Sequence, residues 1–286
     1  MSSAREIYKY IVERIQVYPV KEKQAIAYML LEHFLHLRNV DVLVDRPVSD
    51  NQTQPDWDQI ITRLNNNEPV QHIIGSTEFC GLTFQVSSSV LIPRPETEEL
   101  VRLVTRDYAE PDERASILDI GTGSGCIAIV LAKFLPHCTL HAWDVSEQAL
   151  GVARENARQL MADVQFDLQD MLNIAFPIPG VPEKFDCIVS NPPYVTYSEA
   201  DHMRPNVLRF EPHEALFVED ADPLLFYKAI ADFGKHHLKT GGHCYVEINE
   251  HFGQDTLAVF LERDYASAEV IKDIHGKDRF VKAIIN

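Results

Sequence analysis

The alternation of short apolar segments with longer helical ones, which begins near Ser116, constrains the fold of this 286-residue chain more than any other feature. Residues 117–120 (I-L-D-I) have the composition of a buried strand, residues 121–125 form a glycine-rich turn, and residues 126–134 continue as a helix. Strands that alternate with helices in this way form a mostly parallel sheet with both faces covered. The sequence therefore predicts an α/β domain with a Rossmann-like sheet.

The same alternation predicts the remaining elements of this domain. Further strands are expected at residues 139–143, 164–168, 185–190, 243–248, 268–274 and 280–285. Helices are expected at residues 147–160, 223–238 and 254–262. A Gly241-Gly242 turn precedes one strand, and the last two strands flank a turn at residues 276–278, so we expect them to pair antiparallel. The prediction is a seven-stranded, mostly parallel sheet.

Residues 1–74 have a different pattern, in which apolar side chains recur at helical spacing. Pro19 interrupts the pattern, which predicts two helices over residues 4–37 joined by a short turn. Another helix is predicted at residues 56–64, because the sequence N-N-N-E-P at residues 65–69 ends it. We expect a small domain of about three to five helices.

One linker connects this helical domain to the α/β domain predicted at residues 93–286. Over residues 75–92 apolar residues alternate around Gly81, which predicts a β-hairpin linker. The sequence I-P-R-P-E-T-E follows at residues 92–98, with Pro95 suited to begin a helix and glutamates that complement the helix N-terminus. A plain helix start explains these residues. The alternative is that Pro-Arg-Pro forms a shaped wall of an active site.

The charge of the chain bears on its partners. It has 43 acidic and 26 basic side chains, a formal net charge of −17. An acidic surface repels phosphate backbones, and no long basic run offsets that field, so we expect no direct binding to nucleic acid. The sequence has no run of about 18 apolar residues and no apolar signal region at its N-terminus. We expect a cytoplasmic monomer that does not bind membranes.

The five cysteines are odd in number and widely spaced. No pair has the C-x-x-C spacing of zinc or redox sites. They are expected to be reduced thiols that pack as small core residues. His33 and His36 lie one helical turn apart, but the sequence nearby offers no third ligand, and we expect no metal site.

A glycine-rich turn between a strand and a helix predicts a nucleotide or cofactor site, since its backbone permits close approach and its N–H groups lie at a helix N-terminus. The turn consists of Gly121, Thr122, Gly123, Ser124 and Gly125. By itself it is a weak signal, because nucleotide-dependent oxidoreductases use similar turns.

Three aspartates favour S-adenosylmethionine (SAM) over a dinucleotide. Asp119 precedes the first glycine by two residues, where it would repel a pyrophosphate but could pair with the cationic amino-acid end of SAM. Asp144 follows the second strand, at the position that receives ribose hydroxyls in dinucleotide-binding folds. Asp170 follows the third strand and could accept a hydrogen bond from the adenine amino group, beside the apolar Met171. Each aspartate alone could instead cap a helix, but together with the turn they indicate SAM.

The strand predicted at residues 185–190 ends in Asn191-Pro192-Pro193-Tyr194. The side-chain oxygen of Asn191 and the carbonyl of Pro192 can accept both hydrogens of a planar NH2 group, and the prolines are rigid and have no competing N–H donors. Open α/β sheets bind ligands at this carboxyl edge. The sequence therefore predicts a site that holds an amino or amide nitrogen. The alternative is an ordinary turn that ends the strand.

With these motifs the chain resembles the protein-(glutamine-N5) methyltransferases, in particular the peptide-chain release factor glutamine methyltransferase family (PrmC, also called HemK). The matching sequences are I-P-R-P-E-T-E at residues 92–98, L-D-I-G-T-G-S-G at residues 118–125, N-P-P-Y at residues 191–194 and R-F-E-P at residues 209–212. The resemblance extends from about residue 69 to the C-terminus. It implies a class I SAM-dependent methyltransferase fold, with S-adenosyl-L-homocysteine as the cofactor product.

The resemblance also implies roles for individual residues. It implies cofactor contacts for the glycine turn, Asp144, Met171 and Asn191, although Met171 stands where some relatives carry an aromatic residue. It implies that the catalytic residues, which hold the substrate glutamine, are Asn191, Pro192 and Tyr194. Beside these we place Asp119 and Asp170 in the predicted cofactor site. We place Arg94, Glu98 and Pro193 in the predicted substrate site.

The implied activity is methyl transfer from SAM to the side-chain amide nitrogen of a glutamine, namely the Gly-Gly-Gln glutamine of release factors, with the helical domain as a docking module. Three alternatives stay open. A near relative methylates a ribosomal-protein glutamine, which the catalytic residues do not distinguish. An adenine-N6 DNA or RNA methyltransferase would use the N-P-P-Y box on a flipped base, although the acidic charge opposes it. A non-catalytic interaction protein with a SAM-type fold is opposed by the intact motifs.

Overall fold

The computed structural model describes residues 3–49, 54–110, 114–174 and 177–286. The chain forms two compact units. The first consists of Met1–Ser76 and Arg204–Phe210, and the second of Thr77–Met203 and Glu211–Asn286. The first unit thus includes a segment from far along the sequence, which was not predicted.

The helices and strands are numbered along the chain. The α-helices are α1 (Ala4–Arg14), α2 (Val20–Leu35), α3 (Asn39–Leu43), α4 (Trp57–Asn65), α5 (Val70–Ile74), α6 (Pro95–Asp107), α7 (Cys126–Phe134), α8 (Glu147–Leu160), α9 (Pro205–Phe210), α10 (Leu225–His237) and α11 (Gly253–Leu261). The β-strands are β1 (Ser76–Phe79), β2 (Leu82–Gln85), β3 (Ser116–Ile120), β4 (Thr139–Asp144), β5 (Gln165–Leu168), β6 (Phe185–Ser190), β7 (Val195–Thr196), β8 (Phe217–Val218), β9 (Leu238–Glu247), β10 (Tyr265–Lys272) and β11 (Asp278–Ile285). Two 3-10 helices are Tyr197–His202 and His213–Ala215.

Helices α1 to α5 of the first unit follow the predicted helical pattern. Pro19 separates α1 from α2, and α4 covers the helix predicted at residues 56–64. Ser3 and Asp56 cap α1 and α4, because their side chains accept hydrogen bonds from backbone N–H groups of the first turn. The five helices share one apolar core, which includes Ile7, Ile11, Leu30, Val42, Trp57, Ile61 and Ile73.

The inserted segment of the first unit, Arg204–Phe210, contains α9. Its first residue, Arg204, places a guanidinium nitrogen 3.0 Å from a carboxylate oxygen of Glu22 on α2. Both side chains are partly exposed, and an exposed ion pair of this kind contributes about 0–1 kcal/mol. This pair therefore contributes little to the stability of the first unit.

The predicted hairpin is present in β1 and β2, which pair across Cys80 and Gly81. These two residues have φ angles of 50° and 74°, and positive φ at both central positions matches the twist of the paired strands. The strands are shorter than the linker predicted at residues 75–92. Helix α6 begins at Pro95 as predicted, and Glu98 in its first turn accepts a hydrogen bond from the Cys80 N–H at 2.9 Å.

A seven-stranded sheet forms the centre of the second unit, in the order β10-β11-β9-β6-β3-β4-β5. Strands β3, β4, β5, β6 and β9 pair in parallel, whereas β11 runs antiparallel to both β9 and β10. The prediction of a mostly parallel seven-stranded sheet is confirmed. The chain continues from β3 to β4 on one side and later returns as β6 on the other, so the strand order reverses at β3. Such a reversal opens a crevice at the carboxyl ends of the strands.

Both faces of the sheet are covered. In β3, Ile117 packs in a cluster with α6 and α7, and its neighbour Leu118 packs in a second cluster with α10 and α11. Successive strand residues point to opposite faces, and both side chains are fully buried. Burial of each such side chain stabilises the fold by about 1.5–3 kcal/mol. This explains why the strands are continuous apolar runs.

One local prediction is wrong. The Gly241-Gly242 turn expected before the strand at residues 243–248 lies inside β9, where pairing with β6 shifts register. Gly241 has a φ of 75°, and a Cβ on Gly242 would lie 2.8 Å from the carbonyl oxygen of Lys239. The two glycines therefore form an irregularity within a continuous strand. The small parallel pair of β7 and β8, with the short helices between them, was not predicted.

Three global features concern the part of the chain that the structure describes. None of its helices is both long and apolar enough to cross a membrane. Over the same residues, no group of three or more His, Cys, Asp and Glu side chains is arranged to hold a metal ion. The five cysteines form no disulfide, and Cys126, Cys187 and Cys244 are buried core residues.

Candidate active site

A cavity opens at the carboxyl ends of β3, β4 and β6, where the strand order reverses. It encloses about 880 Å³, a volume that includes the open space at its mouth, and it lies where open α/β sheets bind their ligands. Ser190 at the end of β6 donates a hydrogen bond from Oγ to the carbonyl of Ile120 at the end of β3, at 2.7 Å. The predicted site residues that line the cavity are Gly121, Gly123, Asp144, Asp170, Met171, Asn191, Pro192 and Pro193.

The glycine turn needs its three glycines for different reasons. Gly121 and Gly123 have φ angles of 71° and 55°, and a Cβ on either would meet no atom within 4 Å. The backbone there borders open cavity. Gly125 has a φ of 81°, and a Cβ would lie 2.8 Å from Ile129 Cδ1 and 3.1 Å from Ala153 Cβ. Gly125 thus allows α7 and α8 to approach closely, whereas the first two glycines shape the cavity wall.

Asp119 lies beneath the turn and outside the cavity lining. Its side chain is fully buried, and Oδ2 accepts hydrogen bonds from Thr122 Oγ1 at 2.6 Å and from the Ala128 N–H of α7 at 3.3 Å. Among the described residues, Oδ1 has no hydrogen-bond partner. Burial raises the pKa of Asp119 to about 7. The carboxylate holds the turn against the first turn of α7.

Asp144 and Asp170 both line the cavity and both also bind local donors. Asp144 accepts hydrogen bonds from the N–H groups of Gly123 at 2.8 Å and Ser146 at 2.9 Å. Burial raises the pKa of Asp144. Asp170 accepts from the Leu172 N–H at 2.9 Å and from Asn173 Nδ2 at 2.7 Å. Because a carboxylate has about four lone-pair sites, each aspartate can serve as a turn cap and still accept from a ligand.

Asn191 lies in the cavity wall directly after β6. Its Nδ2 donates to Thr97 Oγ1 at 3.2 Å, and the Thr97 hydroxyl donates to Glu247 Oε2 at 2.7 Å. No described residue donates a hydrogen bond to Asn191 Oδ1 in the structure. The amide of Asn191 is therefore anchored through its NH2 group, and its oxygen remains as an acceptor.

Tyr194 lies outside the cavity lining, although it belongs to the same N-P-P-Y box. Its hydroxyl donates to Glu247 Oε1 at 3.1 Å, and its carbonyl accepts from Asn249 Nδ2 at 3.2 Å. The ring packs against the apolar cluster of α10 and α11. Burial raises the pKa of Tyr194. These contacts tie the box to the end of β9.

Arg94 and Glu98 also lie outside the cavity lining. The Arg94 guanidinium donates to Glu211 Oε1 at 2.7 Å, and the other oxygen of Glu211 accepts from the Ile92 N–H at 3.1 Å. This pair joins I-P-R-P-E-T-E to R-F-E-P. Glu98 binds the Cys80 N–H and, at 2.9 Å, Arg102. Both side chains connect segments of the second unit.

Three polar residues near the site were not predicted. Thr97 and Glu247 support Asn191, as described above. Asn156 on α8 donates from Nδ2 to the carbonyls of Ser124 at 2.9 Å and Gln85 at 3.0 Å, which joins the glycine turn to β2. A signal for Glu247 was present, because it is a charged residue inside the apolar run Y-V-E-I at residues 245–248.

Comparisons with known proteins cover nearly the whole chain. A family model described as PrmC N-terminal domain matches residues 6–75, and one described as Methyltransferase small domain matches residues 98–208. A release factor glutamine methyltransferase of Bacteroides thetaiotaomicron is 46% identical over 276 residues, 96% of this chain and 97% of that protein. One from Flavobacterium psychrophilum is 39% identical over 277 residues, 96% of each chain.

Solved structures share the fold. A methyltransferase from Pyrococcus furiosus aligns with a TM-score of 0.52 at 18% identity, over 79% of this chain and 98% of that chain. The 16S rRNA N2 methyltransferase RsmC of T. thermophilus, in complex with AdoMet and guanosine, aligns with a TM-score of 0.51 at 14% identity, over 74% of this chain and 50% of that chain. At these identities the likeness concerns the fold alone.

The buried Asp119 predicts a pH dependence of stability. Its pKa is about 7 in the folded chain and about 4 in an unfolded chain. Over this window the folded state binds more protons, so its stability falls as pH rises, and above about pH 7 the loss is constant. We expect Asp119→Asn to gain stability relative to the unchanged protein between pH 5 and pH 8 in urea denaturation. Parallel stability curves for the two proteins would contradict the buried carboxylate.

Proposed function

The chain belongs to the family of release factor glutamine methyltransferases, and we propose that it methylates the side-chain amide nitrogen (N5) of a release-factor glutamine, with SAM as the methyl donor. The target is the glutamine of the Gly-Gly-Gln sequence of these factors. The observation that carries this proposal is the Asn191 amide, which lies in the cavity wall with its NH2 group bound to Thr97 and its oxygen left to accept. An acceptor in that place is suited to an amide NH2 group.

The residues of the cavity fit SAM. The backbone of Gly121 and Gly123 borders open space where any Cβ would project, and Asp144 keeps lone pairs for ribose hydroxyls beyond its bonds to the turn. Asp170 and Met171 lie in the wall at the next strand end, where a polar acceptor and an apolar side chain suit adenine. When bound, SAM supplies a methyl group on a positively charged sulfur.

Asn191 and Pro192 act on the substrate amide. An amide nitrogen is a weak nucleophile because its lone pair is shared with its carbonyl. When Asn191 Oδ1 and the Pro192 carbonyl accept its two hydrogens, electron density shifts toward the nitrogen and its lone pair is held in one direction. The catalysis is therefore mainly positioning and electrostatic stabilisation. The proton is lost to water after transfer, so no strong base is required.

The remaining predicted residues support this arrangement from outside the cavity lining. We assign Asp119, Thr122 and Ser124 to the shape of the glycine turn. Tyr194 holds the N-P-P-Y box through its bond to Glu247, and we propose that its ring supports the wall of the glutamine site from behind. We assign Arg94 to the junction with Glu211.

Substrate choice is tested by offering labelled SAM and the purified enzyme to release factor, ribosomal protein and DNA in parallel. We expect label on the release factor alone, and peptide mass spectrometry should place it on the Gly-Gly-Gln glutamine. The net charge of −17 supports a protein substrate over a nucleic acid. Label on a ribosomal-protein glutamine or on adenine, with an unlabelled release factor, would replace this function by the corresponding alternative.

Asn191→Ala tests the role of Asn191 in catalysis, and Asp144→Ala tests the role of Asp144 in cofactor binding. Without the Asn191 acceptor we expect kcat to fall at least about 100-fold, with SAM binding weakened but detectable by calorimetry. Without Asp144 the cofactor loses hydrogen bonds to a charged group, and we expect the SAM dissociation constant to rise about 10-fold to 100-fold. Near-normal turnover of Asn191→Ala would contradict the mechanism. Unchanged SAM affinity of Asp144→Ala would remove that residue from the site.

We propose that the helical first unit docks the body of the release factor. On its short helix α3, Val40, Leu43 and the following Val44 are 48%, 69% and 69% exposed. Their spacing of three and four residues places them on one face, and exposed apolar groups of this kind mark interaction surfaces. The same enzyme would then act as a monomer that recognises its substrate at two places.

Leu43→Glu tests this docking role. We expect KM for intact release factor to rise about 10-fold, the effect of about 1.4 kcal/mol, because a charge is placed in the contact. KM for a short Gly-Gly-Gln peptide should not change, since the peptide lacks the body of the release factor that we propose to dock. Ile274→Glu is the matched control, because Ile274 is an equally apolar side chain, 80% exposed, on the second unit. Equal effects of the two substitutions on intact release factor would contradict docking at α3.

A further inference from the structure

Glu247 is a buried carboxylate that the proposed mechanism does not use. It is the last residue of β9, the neighbour of β6 in the sheet, and β6 ends one residue before Asn191. Its relative exposure is 1%. Removing a charged group from water costs several kcal/mol unless hydrogen bonds and opposite charges compensate. Its burial therefore requires compensating partners.

Two hydroxyl groups donate to Glu247. Thr97 Oγ1 lies 2.7 Å from Oε2, and the Tyr194 hydroxyl lies 3.1 Å from Oε1. Burial raises the pKa of Glu247, whereas these two bonds and the charge of Arg279 oppose the rise. In both bonds a hydroxyl donates and a carboxylate oxygen accepts. An ionised carboxylate can only accept hydrogen bonds, so in this form Glu247 fixes the direction of both.

The direction of the Thr97 bond determines what Thr97 can offer to Asn191. A hydroxyl has a single hydrogen, and in Thr97 this hydrogen is directed to Glu247. Its oxygen can then only accept from Asn191, whose Nδ2 lies 3.2 Å away. The NH2 group of Asn191 is drawn toward Thr97, and Oδ1 is left for the cavity.

We propose that Thr97 and Glu247 are positioning residues that hold the Asn191 amide with its oxygen, and not its NH2 group, toward the substrate amide. This inference rests on the proposed function, because only a substrate NH2 group requires an acceptor there. An Asn191 amide turned by half a rotation would present one NH2 group to another and would reject the glutamine. We call the hydrogen-bonded series Glu247, Thr97 and Asn191 the relay. Glu247 accepts from Thr97, Thr97 accepts from the NH2 group of Asn191, and the oxygen of Asn191 is thereby directed to the reacting nitrogen.

Thr97→Val and Thr97→Ser form a matched pair that tests the relay. Valine keeps the shape but removes the hydroxyl, so the Asn191 amide is free to turn. We expect kcat to fall about 10-fold to 100-fold, the range of effects of small misplacements, with little change in the SAM dissociation constant. Serine keeps the hydroxyl and should retain most of the kcat that valine loses. Equal kcat values for the two variants would overturn the relay.

A second experiment reverses the direction of the hydrogen bonds in the relay. Its expected result, a gain in kcat, could not come from a loss of stability. In Asn191→Asp, two carboxylates compete for the single Thr97 hydrogen, and we expect kcat to fall at least about 100-fold. Adding Glu247→Gln supplies an NH2 group that donates to the Thr97 oxygen. The Thr97 hydrogen is then free for the carboxylate introduced at position 191, which accepts it through one oxygen while the other oxygen faces the substrate.

We expect the effect of Glu247→Gln on kcat to have opposite signs in the two backgrounds. Glu247→Gln should lower kcat in the otherwise unchanged enzyme, and should raise it about 10-fold over Asn191→Asp when the two are combined. A purely structural role of Glu247 predicts a lower kcat in both backgrounds, and that result would overturn the inference. The unchanged enzyme is assayed on release factor in the same series. Absence of methylation there would overturn the proposed function itself, whereas methylation without the change of sign would overturn only the relay.

Discussion

The parallel pairing of β3 with both β4 and β6 is the constraint on which the site depends. It brings three strand ends to one edge of the sheet, so that the glycine turn, Asp144 and Asn191 border one cavity although they lie far apart in the sequence. The hydrogen bond from Ser190 Oγ to the Ile120 carbonyl, 2.7 Å long, joins the ends of β6 and β3. Gly125 permits α7 and α8 to pack closely behind the turn. The glycine turn, Asp144 and Asn191 therefore all depend on this edge of the sheet.

The features that the sequence predicted are those decided by local physics. Strands and helices follow from the spacing of apolar residues, and the turn follows from glycines, which permit positive φ angles. Both signals act within a few residues. Pro95 begins α6 and Pro19 separates two helices because proline constrains the backbone locally. The Gly241-Gly242 prediction failed because two glycines suit a turn and a strand irregularity equally well, and only pairing with β6 decides between them.

The supporting polar contacts could not be predicted, because they join residues that only the tertiary fold brings together. Thr97 meets Asn191 across 94 residues and Glu247 across 150 residues. The motifs did identify the right segments, since Thr97 lies within I-P-R-P-E-T-E and Arg94 of the same motif binds Glu211 of R-F-E-P. What the motifs did not reveal is which side chains face the cavity and which bind one another behind it.

The first unit is built from two separate stretches of the chain. Its N-terminal residues therefore cannot be exchanged as an independent module. Because Arg204–Phe210 belongs to that unit, the chain passes between the units three times, and no single junction separates them. The segment lies between the N-P-P-Y box and Glu211, which is anchored to Arg94 in the second unit. A recombination event that exchanged only the N-terminal residues would leave α9 facing a foreign partner. The two units are therefore expected to diverge together, as one inherited piece.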